Sequence, residues 1–190
     1  MRDNTLRLSS AGAVRVSESG GAGYGDAAEL ATLWAPEGEV VLTKDHPFAK
    51  RMGYTKDGPV RMVFEPGAKI NLSSNAYLFC ASSNRSSALI ARMKDEFGYD
   101  VSFRIPDFTA LARRIVIETP NFHKLYVGKV EYRDFDQRLD EVFERNAMHK
   151  DTRFAWQNEI RAVIGVQNPS DDLIVKIPGM EAYVCDWESH

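Results

Sequence analysis

The 190-residue sequence predicts an α+β fold in which strands outnumber helices. Three observations carry the prediction. Tyr99, Val101, Phe103 and Ile105 alternate with Asp100, Ser102 and Arg104, which is the period of a half-buried strand. Leu89, Ile90, Met93 and Phe97 recur at helical spacing ahead of Gly98, which sits where a helix C-cap glycine belongs. No regular strand-helix-strand repeat runs along the chain, so a doubly wound parallel sheet is not expected.

Local signals set the elements in order. Ser17 to Gly25 is mostly Gly, Ser and Ala, so residues 1–25 are expected to form a flexible N-terminal segment ahead of one domain spanning 26–190. Asp26 to Ala35 predicts a capped helix carrying Leu30, Leu33 and Trp34, stopped by Pro36. Glu39 to Thr43, Val60 to Phe64 and Ala76 to Ala81 predict strands, the last two separated by a turn at Glu65-Pro66-Gly67. Ser86 to Phe97 is the amphipathic helix. After the Tyr99 to Ile105 strand, Asp107 caps a helix with Phe108, Leu111, Ala112 and Ile115 on one face. Leu125 to Tyr132 reads as a strand broken at Gly128, and Asp136 to Asn146 as a helix with Leu139, Val142 and Phe143 inward. Arg153 to Val166 reads as one long strand, and Leu173 to Ile177 with Ala182 to Trp187 as a hairpin around Pro178-Gly179.

Composition narrows the functional classes. Lys plus Arg (24) nearly balance Asp plus Glu (27), which argues against the broad basic surface of sequence-independent nucleic-acid binding. No window approaches the roughly 18 apolar residues of a membrane span, so no membrane partner is expected. Cys80 and Cys185 form no Cys-x-x-Cys pair and the first 25 residues lack an apolar signal core, so a reducing, cytoplasmic setting is expected. His46, His123, His149 and His190 show no zinc spacing, and no metal is expected. A dinucleotide loop built on Gly21 and Gly23 would need its third glycine at Asp26, whose charge would repel phosphate.

The polar residues of the long strand hold the chemistry. Read as a strand, Phe154, Trp156, Asn158, Ile160, Ala162 and Ile164 share a core face, while Ala155, Gln157, Glu159, Arg161 and Val163 share the other. An amide, a carboxylate and a guanidinium then stand in a row, flanked by apolar residues as in a partly enclosed cleft. The plainer reading is a surface Glu159-Arg161 ion pair worth about 0 to 1 kcal/mol, with Gln157 exposed. A second segment, Phe79-Cys80-Ala81-Ser82-Ser83, ends a strand in small polar side chains and runs into the Ser86 helix, an edge suited to ribose or phosphate. Ser83 and Asn84 are also ordinary helix caps.

A strand ending at Ser82, a helix after it, and Gln157-Asn158-Glu159, with Glu159 77 residues beyond Ser82, together resemble the Arg-Ser-Glu branch of the ADP-ribosyltransferase superfamily. The resemblance implies a split two-sheet β-sandwich with flanking helices. It also implies a Gln-x-Glu element with Glu159 catalytic, Gln157 orienting the acceptor, and Ser82 in the nicotinamide pocket, although Cys80 stands where a hydroxyl is usual. An early-strand arginine would hold the phosphates of NAD, the substrate; Arg61 and Arg51 both precede Ser82, and Arg61 sits in the clearer strand.

The implied reaction is mono-ADP-ribosyl transfer from NAD to a non-arginine acceptor, a protein side chain or a nucleic acid, as in intracellular toxins and phage-defence effectors that an antitoxin silences. An ionised Glu159 would stabilise an oxocarbenium-like ribosyl cation, and an arginine would neutralise the pyrophosphate. Two other classes fit parts of the sequence. Asp107 with Glu159 and Arg161 could belong to a metal-dependent nuclease, though Asp107 is explained by capping the next helix. A non-catalytic binding module of a defence or toxin complex would need no cleft. The cluster Arg138, Arg145, His149, Lys150 and Arg153 reads as a solvated face that could guide an acidic target.

Overall fold

The computed structural model describes residues 4–11, 31–34, 38–46, 49–50, 53–68, 70–73, 75–99, 101–133, 147–170 and 172–189. They fall into two compact units, one holding the described residues of 4–11, 75–133 and 147–189, the other those of 31–73. The class is α+β, with mostly strands in several sheets and few helices.

The larger unit is organised by a sheet of β1 (Thr5–Ser10), β6 (Tyr77–Ser82), β8 (Phe122–Lys129), β11 (Glu159–Val166) and β12 (Asp172–Lys176). Its order is β12-β1-β6-β11-β8, and every neighbouring pair is antiparallel. The expected flexible start therefore does not hold for Thr5–Ser10. Leu6 and Leu8 alternate with Arg7 and Ser9, and Leu8 is only 1% exposed in the core, so the segment forms an inner strand. One face of the sheet supplies Tyr77, Phe79, Ala162 and Ile164 to a core closed by Phe108, Leu111 and Ile115. Phe79 and Phe108 stack with ring centroids 5.1 Å apart.

Helix α1 (Ser87–Phe97) begins where Ser86, extended at φ −124°, accepts from the Leu89 amide, and it ends at Gly98 in the left-handed conformation. Helix α2 (Phe108–Ile117) starts under the Asp107 cap, which accepts from the Ala110 amide, and buries the four apolar residues named from its spacing. Both helices match the sequence reading. The alternating segment between them forms β7 (Val101–Arg104), but it pairs with β13 (Cys185–Ser189) in a separate two-stranded sheet, and Val101 is 43% exposed.

Other expectations are corrected. The C-terminal strands form no hairpin around Pro178-Gly179, because β12 pairs with β1 and β13 with β7. The strand after α2 runs through Gly128 and gives way only at Val130, before β9 (Glu131–Arg133), which pairs parallel to β10 (His149–Asp151). The long strand is two elements. Thr152–Gln157 is a 3-10 turn capped by Asp151, and Asn158, at φ 44° and ψ 55°, redirects the chain into β11.

The smaller unit contains two antiparallel pairs: β2 (Ala31–Trp34) with β5 (Ile70–Ser73), and β3 (Gly38–Leu42) with β4 (Val60–Phe64). Residues 31–34 are thus a strand, where the sequence predicts part of a helix; four residues zipped onto β5 override a helical period resting on three apolar side chains. β5 had no counterpart in the sequence reading. The helix expected over Asp136 to Asn146, the remainder of the one expected from Asp26 and the Ser17 to Gly25 stretch lie outside the described residues. Among the described residues no helix is long and apolar enough to cross a membrane.

Candidate functional site

The site is built where β6 and β11 run side by side. Their antiparallel register sets Glu159 opposite Ser82 and Arg161 opposite Cys80, so these four side chains share one face. The Gln157-Asn158-Glu159 backbone is pinned to both neighbours. The Ser83 amide and hydroxyl both donate to the Asn158 carbonyl, each at 2.8 Å. The Val130 amide donates to the Glu159 carbonyl at 3.0 Å, and the Glu159 amide donates to Tyr132 Oη at 2.8 Å.

The side chains close into a buried polar network. Arg161 is 0% exposed and Glu159 6%, with Gln157 and Lys150 also buried. Arg161 Nε donates to Glu159 Oε1 at 2.7 Å, and its Nη1 donates to the Ala147 carbonyl at 2.7 Å. Lys150 Nζ donates to Gln157 Oε1 at 2.8 Å and to Glu159 Oε2 at 3.0 Å. Room for the covering segment comes partly from Gly128, opposite Arg161, where a Cβ would come within 3.1 Å of Met148 Cε.

Burial by itself would raise the Glu159 pKa. The charges of Arg161 and Lys150, with hydrogen bonds from Arg161 and Cys80, outweigh it and hold the carboxyl at about 2. Glu159 is therefore ionised at neutral pH. Burial raises the Tyr132 pKa, as does the Glu159 charge, so the phenol keeps its proton.

The expected ion pair between Glu159 and Arg161 is present, but not as a surface pair, and Gln157 is not exposed. Gln157 reaches the cluster from the end of the 3-10 turn, not from a strand face. Trp156 and Phe154, expected in the core, are half-buried: the Arg92 guanidinium lies 3.9 Å from the Trp156 ring centroid, and Lys150 and Arg153 lie over Phe154. The Ser82 hydroxyl donates to the Asn84 carbonyl at 2.9 Å and accepts from the Asn84 amide at 3.1 Å, closing a turn at the mouth of the β6 edge. Arg61 stands on β4 in the smaller unit, exposed and paired with Glu39 at 2.7 Å. Arg51 lies outside the described residues.

Three residues absent from the sequence-derived site belong to the same sheet face or its cover. Lys150 and Tyr132 are contacts of Glu159; no local pattern marks them, because they come from β10 and β9. The third is Arg7. β1 pairs with β6 through Ser9 opposite Leu78, so Arg7, two residues from Ser9, shares the face of Cys80, Ser82 and Glu159. Its guanidinium is exposed and holds Asp172 at 2.5 Å. The alternation in Thr5–Ser10 was the available signal for it. Asp107 acts as the α2 cap, and among the described residues no group of three or more His, Cys, Asp and Glu could hold a metal. Comparison with known proteins adds no family: no family model, no curated protein and no solved structure matches this chain.

Proposed function

We propose that the protein is a mono-ADP-ribosyltransferase that cleaves NAD at the nicotinamide glycosidic bond, on an ADP-ribosyltransferase-like split sandwich. The observation that carries the reading is the pairing of β6 with β11, which puts an ionised Glu159 directly across from Ser82 with Gln157 tied to the same lysine. Those are two of the three elements on which the resemblance rests, side by side as the reading requires.

In the proposed reaction the bond from ribose C1′ to the pyridinium nitrogen breaks, and nicotinamide leaves with the bonding pair. The ribosyl cation left behind is met by the Glu159 carboxylate, which this step requires to be uncovered, because Glu159 is 6% exposed and Arg161 and Lys150 hold its two oxygens; a lone pair on the acceptor then forms the new bond at C1′. A carboxyl held at about 2 is a weak base, so Glu159 acts as a charge stabiliser, and the acceptor proton goes to another group or to water. Gln157 orients the acceptor with its amide. For the pyrophosphate, Arg7 is a candidate, sharing the face of Ser82 and Glu159 and able to exchange Asp172 for phosphate oxygens. Arg61 and Arg51 are the alternatives on early segments. The acceptor class is a non-arginine protein side chain or a nucleic acid, and a silencing antitoxin fits an intracellular effector of this kind.

The test is incubation with labelled NAD and cell extract, followed by protease or nuclease digestion. Glu159→Gln should lower label transfer by about 100-fold or more, and Arg7→Ala should raise the KM for NAD. Equal incorporation by wild type and Glu159→Gln would sink the assignment.

A further inference from the structure

On the opposite side of the β6 and β11 pair from Glu159 lies a cavity of about 760 Å³, formed within the larger unit. Its floor is Ala81 and Ile160, which face each other across the two strands. Leu89, Ile90 and Met93 of α1 form one wall, and Phe103 and Ile105, on and just after β7, form the other. The volume is in the range of small-molecule sites, roughly 300 to 1,000 Å³, and a mostly apolar lining with a few polar groups is the usual composition of one. Tyr99 and Val101, 51% and 43% exposed, stand on the same lining, so large apolar surface is left facing solvent there.

The charges and the apolar walls of this cavity together decide the chemistry of the occupant. Arg85 is paired with Glu188, Arg104 with Asp186 at 2.8 Å, and Asp107 accepts from the α2 amide of Ala110 at 2.8 Å. Both arginines on the lining thus already have a carboxylate partner, in exposed pairs that hold them only weakly, and it is the apolar floor and walls that would desolvate a charged ligand without compensation. At the edge, the Ser82 and Ser83 hydroxyls donate to the Asn84 and Asn158 carbonyls and keep only acceptor capacity, beside the neutral hydroxyl of Thr109.

We propose that this cavity binds an uncharged, mainly apolar small molecule carrying one hydrogen-bond donor directed to the serine and threonine edge. The cavity borders the Glu159 site, sharing Cys80, Ser82 and Ser83 with its edge, but its apolar floor and walls take no part in the Glu159 network, and the proposal stands whether or not the protein uses NAD.

The test titrates the full chain at neutral pH with 2-naphthol, which is neutral, and with 2-naphthoate, which has a similar body and a negative charge, while following methyl NMR signals. Saturable 2-naphthol shifts are expected at Leu89, Ile90, Met93 and Ile160, with 2-naphthoate at least about fivefold weaker. Ile90→Trp, which fills the cavity, should weaken 2-naphthol by about tenfold or more. Met93→Phe provides a second filling variant if Ile90→Trp does not fold. Absence of saturable shifts in wild type, shifts elsewhere, unchanged affinity in a folded filling variant, or 2-naphthoate binding as tightly as 2-naphthol would each overturn the proposal.

Discussion

Lys150 and Gln157 are joined from Nζ to Oε1 at 2.8 Å, and the same ammonium reaches Glu159 Oε2 at 3.0 Å. The six residues between Lys150 and Gln157 form the end of β10 and most of the 3-10 turn, so the bond closes that segment over Glu159 and Arg161. A buried ammonium is tolerated only when its donors are satisfied, and two oxygen acceptors on adjacent elements take two of its three donors here.

Lys150→Met should destabilise the protein by about 2 to 3 kcal/mol, since it leaves the Gln157 carbonyl oxygen buried without this donor. Arg161 still holds Glu159, which keeps the loss below that of an isolated buried charge. Urea unfolding checks it, and the double variant Lys150→Met with Gln157→Leu should lose less than the two single effects combined. Additive losses would show that the two side chains are not coupled.

Stability should depend on pH through Glu159. Its folded-state pKa is depressed from the ordinary 4.5 to about 2, so its contribution is fully present above the ordinary value and disappears as pH falls through about 2. The loss is at most about 3 kcal/mol. Denaturant melts of wild type and Glu159→Gln between pH 7 and 2 isolate it: the gap between the two curves should shrink mainly below pH 4.5. A constant gap would contradict the assigned ionisation.

Asn158 in the left-handed conformation turns the chain from the 3-10 element into β11. Asn158→Gly should be tolerated, whereas Asn158→Val should cost about 1 to 2 kcal/mol, because a β-branched side chain clashes there. Thermal melts of both variants check the order. Similar melting temperatures would mean that the turn adapts elsewhere.

Leu8→Ala should cost about 2 to 5 kcal/mol, the range for a buried leucine whose cavity collapses only partly. Leu8 sits in an inner strand of the five-stranded sheet. An exposed or loosely attached start would show a change near zero in the same unfolding measurement.

The parts of the fold legible in the sequence are those whose signals are complete within a few residues. Ser86 with Gly98, and Asp107 with Phe108, Leu111, Ala112 and Ile115, mark their helices because caps and apolar spacing are local. Glu159 and Arg161 share a face because they are two residues apart in a true strand. Gln157 reaches the same cluster for a reason the alternation does not contain, since its approach depends on the 3-10 turn and on Asn158. The expected C-terminal hairpin failed for a related reason: Pro178-Gly179 offers a turn, but β12 buries Val175 beside β1, and β13 pairs with β7 instead of with β12.

From the sequence alone came the α+β class, both helices with their caps, the strand segments around Val60, Tyr77 and Ile160, and the suspicion that Gln157, Glu159 and Arg161 act together. Tertiary structure alone decided that Lys150 and Tyr132 join them, that Arg7 lies on the face of Ser82, and that the ion pair is buried. These depend on which strands become neighbours, and that choice is made by burying apolar surface from distant segments at once. No short stretch of sequence encodes it.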